Sequence, residues 1–147
     1  MTKTLHFSTQ IDAPRGTVWD TLIAPDSFKA WTEPFMPGSH FEGSWDKGAT
    51  IRFLAPDGNG MSSVIVDNRP GEFISIKHLG EVREGVDDFD SDSVRRWAPA
   101  FENYTLTTVD GGTRIAIDVD VTPEYEQQMR DAWPHALDRL KALSEAR

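Results

Sequence analysis

The stretch PEYEQQMRDAWPHALDRLKALSEAR, residues 123–147, sets the strongest limit on what this chain can fold into. Tyr125, Met129, Ala132, Trp133, Ala136, Leu137, Leu140 and Leu143 recur at three- and four-residue spacing, so they line one face of a helix. Thr122-Pro123 followed by Glu124 and Glu126 supplies its start, since proline fits the first turn and acidic side chains complement the helix dipole there. Pro134 falls inside the pattern, and its missing N–H predicts a bend or loosening one turn earlier, near Arg130. An amphipathic helix of this length must be covered, so the preceding residues have to build an apolar surface for it.

They read as strands. TLHFSTQI (4–11) alternates, with Leu5, Phe7, Thr9 and Ile11 on one face. SHFEGSW (39–45) and ATIRFLA (49–55) flank Asp46-Lys47-Gly48; MSSVIVDN (61–68) and EFISIKHL (72–79) flank Arg69-Pro70-Gly71. AFENYTLTTV (100–109) and TRIAIDVDV (113–121) flank Asp110-Gly111-Gly112, a strong hairpin signal. With the first strand this makes a seven-stranded antiparallel meander. Between strands one and two, Asp12 reads as a helix cap with Pro14 in the first turn, and Val18, Trp19, Leu22 and Ile23 follow at helical spacing. Ala24-Pro25 ends that helix and begins a second short one carrying Phe28 and Trp31. REGVDDFDSDSVRRWAP (83–99) is too long and too charged for a turn and reads as a binding loop or lid.

Composition narrows the function classes. Lys plus Arg is 15 against 24 Asp plus Glu, a net charge of −9 that repels phosphate backbones and anionic lipid surfaces. Neither nucleic acid nor a membrane is therefore an expected partner. There is no cysteine, which removes disulfides, thiolate metal sites and thiol nucleophiles. No apolar run reaches signal-peptide or membrane-span length, so the expectation is one cytoplasmic domain over 1–147.

The order strand, two short helices, meander, long helix resembles the helix-grip fold of the START-like (SRPBCC, Bet v 1-like) superfamily, an α+β architecture. IDAPRGTVWDTL, FEGSWDKGATIRF, ISIKHLGEV, WAPAFENYTL and AWPHALDRLKAL, in that order, resemble the activator of Hsp90 ATPase homologue 1-like family. The resemblance implies a curved sheet wrapped around the C-terminal helix, two short helices closing one end, and a cavity between helix and sheet. It implies a small hydrophobic or amphipathic ligand, no cofactor and no metal, and leaves open a cyclase- or hydrolase-type enzyme, a stress-response interaction module and a homodimer. The Hsp90 contact is not expected to carry over, since the N-terminal co-chaperone domain that makes it in the eukaryotic protein has no counterpart in these residues.

Strand alternation then proposes the lining. Ile74, Ile76 and His78 share a face, as do Glu102, Tyr104 and Leu106, Ile115, Ile117, Val119 and Val121, and Ile51 and Phe53. Facing inward, these give an apolar cavity whose polar groups are His78, Glu102 and Tyr104, suited to orienting a ligand or, read as chemistry, to acid–base work. Met129, Trp133 and Leu137 would face it from the helix. In the resembling fold Trp31, Phe35, Met36 and Trp97 approach the cavity mouth as an adjustable gate, whereas core packing is the alternative for Trp31.

Two metal readings fail. From Asp88, the aspartates at 90 and 92 match half of a calcium loop, but Ser93 stands where glycine is required and Pro99 where a bidentate glutamate should sit. His6, His40, His78 and His135 have no zinc-ligand spacing.

Overall fold

The computed structural model describes residues 2–147. Its elements run β1 (Lys3–Ile11), α1 (Arg15–Ile23), α2 (Pro25–Trp31), β2 (His40–Gly43), β3 (Thr50–Leu54), β4 (Gly60–Arg69), β5 (Phe73–Arg83), β6 (Val86–Asp88), α3 (Asp92–Arg95), β7 (Ala100–Val109), β8 (Gly112–Val121) and α4 (Pro123–Glu145). All strand pairs are antiparallel, in the order β1-β8-β7-β5-β4-β3-β2, with β6 added beside β5. This is the helix-grip arrangement, with eight strands rather than seven.

The extra strand and α3 come out of the segment expected to be loop. β6 pairs with the far end of β5, on the side that β7 takes over its first half. The approach is close: a Cβ on Gly80 would lie 2.2 Å from the Asp88 carbonyl oxygen, so only glycine fits opposite β6. Alternating polarity is what a strand needs, but the run of aspartates hid it. Those aspartates brace the segment. Asp87 pairs with Arg52 at 3.0 Å, and Asp88 accepts the backbone N–H groups of Asp90 and Ser91. Both carboxyls are held below the usual aspartate range, Asp87 chiefly by Arg52 and Asp88 by Ser91.

Two local expectations are corrected. Asp12 does not cap α1: the N-cap is Pro14, with no side-chain cap bond, and the Asp12 amide instead donates to Glu145 at 2.8 Å. That contact ties the end of α4 to the end of β1. The loosening expected near Arg130 is not observed either, since α4 is helical without a break through Pro134. Packing outweighs the lost hydrogen bond, because the adjacent Trp133, Ala136 and Leu137 are all buried.

The apolar face of α4 lies on the concave side of the sheet. Trp133, Ala136, Leu137 and Leu140 join Leu5, Ile11, Ile51, Ile65, Ile74, Ile76, Leu106, Ile115 and Ile117 in one core, closed at one end by Val18, Leu22, Phe28 and Trp31 of the short helices. Tyr125 leaves the pattern, at 54% exposed. No helix of the described residues is long and apolar enough to cross a membrane. Leu140→Ala should therefore cost about 2–5 kcal/mol in urea unfolding, whereas Tyr125→Ala, with little burial to lose, should stay within about 0.5 kcal/mol.

Candidate functional site

Polar groups on the inner face concentrate at one point. Regular pairing from Ser62 opposite Gly80 would set Ser63 against Leu79. A register shift skips Leu79 and brings Ser63 opposite His78 instead. Bulges often re-aim side chains in this way. The Ser63 hydroxyl then lies 2.7 Å from His78 Nδ1, and His78 Nε2 lies 3.1 Å from Glu102 Oε1. Tyr104, two residues along β7 and on the same face, donates its hydroxyl to Glu102 Oε2. Four polar side chains from β4, β5 and β7 thus form one relay, with Ser63, His78 and Tyr104 at 1%, 4% and 3% exposure.

Hydrogen-bond chemistry assigns the roles. A carboxylate only accepts, so the Glu102 oxygens take the His78 Nε2–H and the Tyr104 O–H. With the imidazole neutral, Nδ1 is left as an acceptor and Ser63 donates to it. Burial raises the Tyr104 phenol well above its ordinary value of 10, and the neighbouring Glu102 raises it further, so Tyr104 remains a donor.

Rings surround the relay. Phe53 meets the His78 ring edge-on at 5.8 Å, and Tyr104 lies 6.4 Å from Trp31 and 6.1 Å from Trp133. Phe35 contacts Trp133 at 4.9 Å, and Phe28 links Trp31 to Phe41, Trp45 and Phe53. These rings form one connected network that runs from Trp133 of α4 through α2 to β2 and β3. Within it Trp31 has its indole N–H satisfied by the Leu22 carbonyl at 3.1 Å, but the buried N–H groups of Trp133 and Trp45 meet no acceptor.

The fourteen residues expected at the site separate accordingly. His78, Glu102, Tyr104, Trp31, Phe35, Phe53 and Trp133 come together through the contacts above. Ile74, Ile76, Ile117 and Leu137 belong to the surrounding core, and Met129 packs against it half-buried. Met36 is 49% exposed beyond α2, and Trp97 is half-buried after α3, its amide bonded to the Val94 carbonyl. Ser63 was missed. The signal for it was weak: two serines inside an otherwise apolar strand, re-aimed by a bulge that alternation does not reveal.

Two depressions in the described surface lie away from the relay. One of about 360 Å3 is bounded by Arg15, Arg69, Glu72, Phe73 and Thr105 to Thr108. The other, about 150 Å3, lies between Phe7 to Thr9 of β1 and Pro134, Leu137 and Asp138 of α4.

Removing one member of the relay should cost more than removing three. Glu102→Leu leaves the His78 Nε2–H and the Tyr104 hydroxyl buried without acceptors, and should cost about 3 kcal/mol or more in denaturant unfolding. Adding His78→Leu and Tyr104→Phe should recover part of that loss; a further loss instead would show that the relay stabilises the fold outright. Alkali gives a second check. A raised folded-state pKa means that the contribution of Tyr104 is complete below about pH 10 and is lost as pH rises from there through the folded value. Its phenolate absorbance at 295 nm should appear only as the fold is lost, and Tyr104→Phe should remove that component.

The family model described as activator of Hsp90 ATPase homolog 1-like protein matches residues 12–145. A comparison with curated proteins gave no match. Among solved structures, protein MLL2253 from Mesorhizobium loti superposes with a TM-score of 0.74 at 17% identity, covering 98% of both chains. The Aha1 dimer from Colwellia psychrerythraea gives 0.74 at 17% identity, over 97% of this chain and 96% of the other. CalU16 from Micromonospora echinospora gives 0.66 at 20% identity, over 97% and 76%. At such identities these likenesses establish the fold.

Proposed function

The chain belongs to the activator of Hsp90 ATPase homologue 1-like family, and from that premise we propose that it binds a small hydrophobic or amphipathic molecule between α4 and the sheet. The observation that carries this reading is the indole N–H of Trp133, which is buried among rings and finds no acceptor in the fold. An unmet buried donor costs about 1–3 kcal/mol, which an acceptor oxygen on a ligand would recover. The ligand enters by displacing Phe35, Phe53 and Met129, which are only half-buried, while the fully buried Ile74, Ile76, Ile117 and Leu137 form the fixed wall. His78, Glu102 and Tyr104 set its orientation. Met36 and Trp97 serve at the rim, neither being buried. We propose no cofactor, a cytoplasmic setting for a chain without cysteine, and a homodimer on the precedent of the Colwellia protein.

A second reading has one observation in its favour. Ser63, His78 and Glu102 stand in the order of nucleophile, base and orienting acid, as acyl transfer requires. Ser63 is 1% exposed, which ranks this reading below binding. Treatment with a fluorophosphonate followed by peptide mapping decides it: an adduct on Ser63 supports hydrolysis, and an unlabelled Ser63 ends it. A co-chaperone surface has less support, since the exposed large apolar side chains are spread over separate elements: Met36 beyond α2, Val66 on β4, Val86 and Phe89 at β6, Tyr125 on α4.

The test of binding is a thermal-shift screen against fatty acids, sterols, flavonoids, polyketide-like aromatics and small amides. A ligand at a hundred times its Kd adds about 2.7 kcal/mol, a rise of roughly 5–10 °C for a chain of this size. Glu102→Gln, which keeps the shape but halves the acceptor capacity, should weaken the hit about tenfold. A blank panel, or a hit indifferent to both Glu102→Gln and Trp133→Phe, removes the interior site.

A further inference from the structure

The larger surface depression supports a different ligand. It lies between the first residue of α1, the β4–β5 turn and the end of β7, and its volume of about 360 Å3 falls within the range of small-molecule sites. Two guanidiniums border it, Arg15 and Arg69, against the single carboxylate of Glu72. Each guanidinium also meets one carboxylate, Arg15 that of Glu72 and Arg69 that of Asp67, so in a chain of net charge −9 the surroundings of the depression are locally neutral.

Both arginines are held in place yet loosely engaged. Arg15 reaches the Gly71 carbonyl at 3.4 Å and Glu72 at 3.5 Å, distances at the limit of a hydrogen bond. Arg69 lies 3.7 Å from Asp67 and stacks over the Phe73 ring at 4.9 Å. Stacking fixes the guanidinium plane without consuming its N–H donors. Thr105 and Thr107 are exposed on the face that carries Phe73 and add hydroxyls, Phe73 supplies apolar surface, and Thr108 and the buried Leu106 border the depression from the opposite face of β7.

We propose that this depression binds a phosphate monoester carrying a small apolar group. Guanidinium forks match phosphate oxygens bidentately, and a tetrahedral dianion can take hydrogen bonds from both arginines and the threonines together, whereas a carboxylate offers only two oxygens. Phe73 receives the apolar group. The site is separate from the interior one, and neither depends on the other.

Phenyl phosphate is the probe, titrated into the labelled protein and followed by amide NMR. Shifts should map to Arg69–Phe73 and Thr105–Thr108, with affinity at least tenfold above those of phenol, inorganic phosphate and benzoate. Arg15→Gln with Arg69→Gln, both on the surface and outside the core, should weaken binding at least tenfold. Tyr125→Ala, exposed on α4 and away from the depression, should leave it unchanged. Benzoate binding as tightly as phenyl phosphate overturns the choice of ligand. Shifts elsewhere, or indifference to the arginine pair, overturns the site.

Discussion

The arrangement above the sheet depends on Trp133, set in the middle of α4 with 3% of its surface exposed. Its ring stacks on Phe7 of β1 at 5.8 Å, and meets Trp31 at the end of α2, Phe35 just beyond it, and Tyr104 of β7. One side chain therefore fixes the helix against the edge strand, the sheet centre and the clamp. Each such ring pair contributes about 0.5–1.5 kcal/mol beyond simple burial. This accounts for the proline-punctuated pair of short helices after β1. Extended backbone at Pro14 and Ala24 breaks the chain into pieces short enough to turn Phe28 and Trp31 inward together.

Against that apolar background the relay is costly to leave incomplete and cheap only when whole. Ser63, His78, Glu102 and Tyr104 satisfy one another across three strands, and the register shift at Leu79 is what lets the first two meet. Well-packed apolar replacements of buried polar pairs are often no less stable. Stability alone therefore does not explain why a carboxylate and an imidazole sit in the core. Specifying a unique register between β4 and β5, or serving the ligand binding or the acyl transfer proposed above, are the uses that remain, and register and either function are compatible.

Much of this was legible from residue order because the signals were local. Alternation placed Ile74, Ile76 and His78 on one face and Glu102 and Tyr104 on another, and the register sets those faces side by side, with Ile76 opposite Glu102 and Ile74 opposite Tyr104. The period of α4 identified Trp133, Leu137 and Leu140 as buried. What escaped was non-local. β6 is stabilised by pairing with β5 and by the bare backbone of Gly80, neither of which its own aspartate-rich sequence announces. Asp12 looked like a cap because its neighbours suited one, but Glu145, at the far end of the chain, claimed its amide. Ser63 needed a bulge, and Pro134 needed the packing of its neighbours to be outweighed.

A ring-filled interior and a ligand-binding one differ less than they first appear to. Apolar burial is worth roughly 25 cal/mol per Å2 whichever molecule supplies the surface, so a ligand ring that replaces Phe35 or Phe53 gains little from the exchange itself. Those two side chains are only half-buried, so their displacement also forfeits less than that of Ile117 or Leu137. Apolar contacts then set which shapes are admitted, while net affinity has to come from bonds that the fold leaves unmade. The Trp133 N–H is such a bond, and supplying its acceptor is worth about 1–3 kcal/mol, or roughly one to two powers of ten in Kd. Selectivity inside this fold would accordingly follow the position of one oxygen on the ligand more closely than its hydrophobicity.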